Sequence, residues 1–112
     1  MELASKIKPG LVNVDTNDHW KECSRIVCLV ADRYGFTKRE LLGRRRTVKH
    51  IWPRHTAMAL CRLLGLTYQD VGKVFNRDHG TIIHACHNVR NLVATEPRLR
   101  EEFRELRDMV EV

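Results

Sequence analysis

Closely spaced cysteine pairs are missing from this 112-residue chain, whose four cysteines are Cys23, Cys28, Cys61 and Cys86. That scatter offers neither a disulfide framework nor a Cys-x-x-Cys knuckle. Three of the four fall at apolar positions of predicted helices, so free thiols in a reducing compartment are expected and no metal is. A zinc site stays open as the alternative because His84 and His87 flank Cys86. No apolar run approaches the roughly 20 residues that cross a bilayer. Met1 to Gly10 also lacks the apolar block of a signal peptide, which makes a cytoplasmic location the expectation. Aromatic residues make up only 6% of the chain and sit mostly at helix-core positions, which argues against the stacking platforms of a single-strand RNA binder. There is no Gly-x-x-x-x-Gly-Lys-Ser/Thr loop, so this chain is not expected to hydrolyse ATP. No nucleophile, base and orienting acid can be assembled from the spacing either. The expectation is a protein that is not an enzyme and needs no cofactor. Repeats and low-complexity segments are absent as well.

What is present is one domain's worth of ordinary globular sequence, 43% hydrophobic, with a formal net charge of +6. The distribution of that charge matters more than its size. From Gly43 through Gln69 the chain carries Arg44, Arg45, Arg46, Lys49, Arg54 and Arg62 and no acid, whereas Glu96 to Val112 has more acids than bases. A basic block inside a balanced chain is the footprint of a polyanion binder, the plain alternative being a solvated basic face.

Hydrophobic spacing divides the chain into an arm or linker over residues 1–14, which contains Pro9 and Gly10, and a helical domain over 15–112. Trp20, Cys23, Val27, Val30 and Tyr34 predict one helix face, capped by Asp15 or Thr16 and closed by Gly35. Thr37-Lys38-Arg39-Glu40 has capping-box spacing before a short helix that ends at Gly43. Arg44 through His50 reads as an exposed basic loop. Pro53 then predicts the first turn of a helix with Met58, Ala59, Leu60, Leu63 and Leu64, stopping at Gly65, with Arg54, His55 and Arg62 off its apolar face. After Pro97, the residues Leu99, Phe103, Leu106 and Val110 predict a last amphipathic helix that packs across the bundle, with a dimer surface as the lesser alternative.

Between these lies the most informative stretch. Thr67 caps a helix through Phe75 with Val71, Val74 and Phe75 facing inward, and Gly72 is predicted to admit a neighbouring helix. The pattern breaks at Asn76-Arg77 and restarts at Asp78 with Ile82, Cys86, Val89 and Val93 on one stripe, broadened by Ile83 and Leu92. Two helices separated by so short a break suggest a helix-turn-helix, whose second helix would present Asp78, His79, Gly80 and Thr81. This stretch alone fits a capped antiparallel helix pair equally well.

Three motifs in order carry a family resemblance: Trp52-Pro53-Arg54-His55-Thr56-Ala57-Met58-Ala59-Leu60, then Val71-Gly72-Lys73-Val74-Phe75, then Arg77-Asp78-His79-Gly80-Thr81-Ile82-Ile83-His84-Ala85. With them the chain, from about Val14 to Met109, resembles the C-terminal DNA-binding domain of the bacterial replication initiator DnaA. The resemblance implies an all-α, Trp-repressor-like bundle of about six helices that binds double-stranded DNA at short asymmetric boxes. It implies that Arg46 enters the minor groove and that Arg54 supports base and backbone recognition. His55 stands where many relatives have glutamine. Arg62, Tyr68 and Gln69 fall at backbone-contacting positions, while Asp78, His79 and Thr81 match the major-groove reader. Arg44, Arg45, Lys49 and Arg77 complete the expected DNA-binding set, with Asp78 acting as cap and orienter. Gly80 occupies a position where relatives usually have threonine, and the turn is one residue shorter than the common Gly-Gly-Arg form. A monomer is expected, with replication or regulatory proteins as further partners. Alternatives are a helix-turn-helix transcriptional regulator and a protein-interaction module.

Overall fold

The computed structural model describes residues 16–44 and 47–111, with side chains from Trp20 onward. The arm expected over 1–14, the helix cap expected at Asp15, and the basic residues Arg45 and Arg46 lie outside the described residues. Six α-helices and no strand occur among the described residues: α1 (Thr16–Tyr34), α2 (Lys38–Leu42), α3 (Val48–Leu63), α4 (Tyr68–Phe75), α5 (His79–Thr95) and α6 (Pro97–Glu111). The all-α bundle read from the sequence is the observed architecture.

Helix α3 is the axis of the bundle. It packs most extensively on α5 and α1 and also touches α2, α4 and α6. Its run from Thr56 to Cys61 is buried on almost every side, and it meets Ile26, Val27 and Val30 of α1, Leu41 of α2, Phe75 of α4 and Ile82 and Ala85 of α5 in one core. A helix apolar all round is the sequence form of a central element. Local signals set the other boundaries. Thr37 and Glu40 form the predicted capping box (3.1 and 2.9 Å), and Gly35 ends α1 at φ +76. Helix α6 lies across the bundle, where Tyr34 Oη donates to Glu102 (2.5 Å) and Arg25 donates to the Val110 carbonyl (3.0 Å).

Several expectations are corrected. Helix α3 begins at Val48, five residues before Pro53, so Val48, Lys49 and His50 belong to a helix and not to the loop. The cause is the burial of His50, whose ring lies 4.5 Å from that of Phe36 and whose Nδ1 contacts the hydroxyl of Thr47. Proline at the sixth helical position removes a single backbone donor. Trp20 and Leu63, expected inside, are 46% and 43% exposed; Lys38 Nζ sits 5.5 Å over the Trp20 ring. Gly72 is buried against the turn that follows its own helix, not against a neighbouring helix: a Cβ there would lie 2.5 Å from the Arg77 carbonyl oxygen. Arg54, expected off the apolar face, is only 5% exposed. Its Nε donates to the Leu41 carbonyl (2.7 Å) and its Nη2 to the Glu40 carbonyl (2.9 Å). Arg77 works beside it, donating from Nη2 to Gly43 (2.6 Å) and from Nη1 to Phe75 (2.7 Å).

Two outcomes test this framework. Gly72→Ala should lower stability by about 2–3 kcal/mol, because the clashing oxygen is backbone and only a shift of the turn can relieve it. Arg54→Ala should cost roughly 2–4 kcal/mol by leaving the two α2 carbonyls without their donors. Urea denaturation followed by circular dichroism measures both, and unchanged midpoints would show that neither contact supports the fold.

Candidate nucleic-acid interface

The turn between α4 and α5 is built from three adjacent residues with three separate jobs. Asn76 adopts the left-handed conformation (φ 54, ψ 50) and ends α4, with short polar asparagine serving where glycine is commoner. Arg77 donates its backbone N–H to the Gly72 carbonyl (2.8 Å), which folds the chain back over the glycine. Asp78 then caps α5, its Oδ1 accepting from the Thr81 backbone N–H (2.8 Å). That hydrogen bond, helped by the Thr81 hydroxyl, holds the Asp78 carboxyl below its usual range, so it stays charged and engaged by its own helix. His79, Gly80 and Thr81 are left exposed on the first turn.

Around this turn the structure gathers Arg44, Gln69, Arg77, Asp78, His79, Gly80 and Thr81 of the predicted set. Arg44, Asn76, Arg77, Asp78 and Thr81 line one polar cleft of about 450 Å³. A shallower neighbour of about 400 Å³ includes Gln69, Lys73 and His79. The root of the basic loop and the first turn of α5 therefore share one surface. They do so because Arg54 and Arg77 together hold residues 40–43 against the turn. Arg62 lies beside Tyr68 at the start of α4, its guanidinium 4.6 Å from the ring centroid and its Nη1 on the Leu66 carbonyl (3.1 Å).

Two residues fall elsewhere. Arg54, expected at the base edges, points inward as described. Lys49 lines a separate groove with Tyr34, Phe36, Trp52, Pro53, Arg98, Leu99 and Glu102. Sequence reasoning passed over Lys73, His84 and Asn88. Lys73 follows Gln69 by four residues and so shares its helix face. His84 and Asn88 follow Thr81 by three and seven, which places them on one stripe of α5. Asn88 Nδ2 lies 3.0 Å from His55 Nδ1, and the His55 and His84 rings meet edge to face at 6.4 Å. Burial, then electrostatic interaction with His84, Arg54 and Arg77, pushes the His55 pKa down, so its imidazole is neutral near pH 7. All four cysteines are free; Cys23 and Cys61 are buried, Cys86 is half-buried and Cys28 is exposed. Among the described residues no helix is long and apolar enough to cross a membrane.

Comparison with known proteins agrees with the fold and shows the family. The chain is 35% identical over 80 residues to the chromosomal replication initiator protein DnaA of Acinetobacter baylyi, a match covering 70% of this chain and 17% of that protein. Its fold matches the crystal structure of a DNA replication initiation factor with a TM-score of 0.76, at 24% identity, over 84% of this chain and 29% of that one. The chain thus spans less than a third of either relative. The pattern described as the bacterial dnaA protein helix-turn-helix matches residues 23–89, and the turn, its glycine and the exposed start of α5 all fall inside that match, so the chain belongs to this family.

Proposed function

We propose that this chain is a sequence-specific reader of double-stranded DNA of the replication-initiator type, acting by binding rather than by catalysis. The observation that carries the reading is the shared cleft, in which a basic-loop arginine, Arg44, faces the exposed first turn of α5. A helix start is the right shape for a major groove about 12 Å wide, and its free N–H groups favour phosphate. His79 and Thr81 reach base edges, each good contact discriminating by about 1–3 kcal/mol. Arg44, Arg45, Arg62 and Lys73 neutralise backbone phosphates. Arg46 enters the adjacent minor groove, the role its place in the family motif implies, and gains most where A/T-rich sequence narrows that groove. Gly80 presents neither hydroxyl nor methyl, so the preferred site is this chain's own. A single reading head without a two-fold fits short asymmetric boxes.

Selection of bound sequences from random duplex DNA, followed by titration across salt concentrations, tests the proposal. An asymmetric site should emerge, with affinity falling by a slope of about −0.9 per neutralised phosphate on logarithmic axes. Arg44→Ala should weaken all duplexes alike and lower that slope by about one, whereas His79→Ala should flatten preference at one base pair. Absence of salt-dependent duplex binding would overturn the reading, and a palindromic site bound by a dimer would point to a repressor-like regulator.

A further inference from the structure

We infer that Asn88 is a positioning residue for base reading: its side-chain amide fixes His55 as a hydrogen-bond donor, so that His55 selects a base edge bearing an acceptor. The inference rests on the duplex-binding reading above. Its basis is the contact between Asn88 Nδ2 and His55 Nδ1 at 3.0 Å. An amide nitrogen donates and does not accept. Nδ1 must therefore supply the lone pair, and in a neutral imidazole the only N–H is then on Nε2. Burial, with the guanidinium charges of Arg54 and Arg77 nearby, favours that neutral form.

The pair is also well placed. Thr81, His84 and Asn88 lie on one stripe of α5, and seven residues of helix cover about 10 Å, or roughly three base pairs of groove. Thr81 opens the stripe in the cleft shared with Arg44. His55 is half-buried between the exposed His84 and the half-buried Asn88, so the reading surface passes from α5 onto α3 at this point. A residue of the central helix is thereby held against the helix that enters the groove. An Nε2–H donor fits guanine, whose major-groove edge carries the adjacent acceptors N7 and O6, and is refused by the amino group of cytosine. The same donor function in a free histidine would be diluted by the second tautomer and by ring rotation.

The test compares the unaltered protein with Asn88→Ala, Asn88→Leu, His55→Ala and the double variant His55→Ala/Asn88→Ala, all checked for helical content. Asn88→Leu preserves side-chain volume should the alanine variant be unstable. Duplex selection should show that the unaltered protein disfavours cytosine at one position, and that either Asn88 variant relaxes this discrimination about fivefold. Binding to a duplex lacking the preferred base, and the salt slope, should stay within about twofold. In the His55→Ala background the Asn88 substitution should add nothing further, because Asn88 acts through the imidazole. Nitrogen-15 shifts of the His55 ring, measured without DNA, should report the Nε2–H tautomer in the unaltered protein and a mixture in Asn88→Leu. A dominant Nδ1–H tautomer, a preference for an amino-bearing edge, a uniform loss of affinity, or equal effects of Asn88→Ala in both backgrounds would each overturn the inference while leaving duplex binding intact. Failure of the unaltered protein to bind any duplex would overturn both.

Discussion

The candidate interface depends on two arginines that face inward. Arg54 and Arg77 direct their guanidinium groups at the carbonyl end of α2, on Glu40, Leu41 and Gly43, and so tie three parts of the chain at one point. Helix α3 contributes one arginine, the helix-turn-helix contributes the other, and the base of the basic loop supplies the acceptors. Five residues is a short helix whose final carbonyls have no partners within it, so two guanidinium groups, that of Arg54 buried and that of Arg77 half-buried, are suitable neighbours for that negative end. Burial of Arg54 costs most, and repulsion from Arg77 adds to it; both weaken Arg54's hold on its proton without neutralising a group so strongly basic. The carbonyl oxygens offset that cost only while both arginines and α2 are in place. Loop, turn and central helix are consequently assembled together.

The angle of α5 follows from a second constraint. With Gly72 under the Arg77 carbonyl and Asn76 in the left-handed region, the chain reverses within three residues. Any side chain at position 72 would lift the turn and tilt the first exposed turn of α5 away from Arg44. The glycine serves this close backbone approach, and its helix cost of about 1 kcal/mol is accepted for that reason. Ion pairs contribute little by comparison. Arg33 and Glu105, the pair joining α1 to α6 at 2.9 Å, are 41% and 49% exposed, and solvent screening leaves such pairs at about 0–1 kcal/mol. Helix α6 is held mainly by Leu106 and Val110 in the core and by the Tyr34–Glu102 hydrogen bond, to which Trp52 donates from the other side (2.8 Å).

Where sequence reading succeeded, the signal was local. Thr37, Thr67 and Asp78 each accept a backbone N–H three residues on, a relation visible in four consecutive letters. Where it failed, the decisive partner was distant in the chain. His50 reads as one more loop residue until Phe36 closes over it, and that burial draws the start of α3 back to Val48. Arg54 and Arg44 are both arginines in an acid-free block, yet one meets a carbonyl 13 residues away and turns in while the other stays in solvent. Asn88 was passed over because its partner, His55, lies 33 residues earlier on a different helix.

The sequence by itself determined the all-helical class, the caps at Thr37, Thr67 and Asp78, the break at Asn76 and Arg77, and the family, since periodicity, capping and motif order are properties of neighbouring residues. Only the tertiary structure decided which of the basic and polar side chains are anchors and which are offered to a ligand. That choice depends on the carbonyls and rings that packing brings opposite each side chain, and burial strengthens such contacts enough to override a residue's usual preference for water.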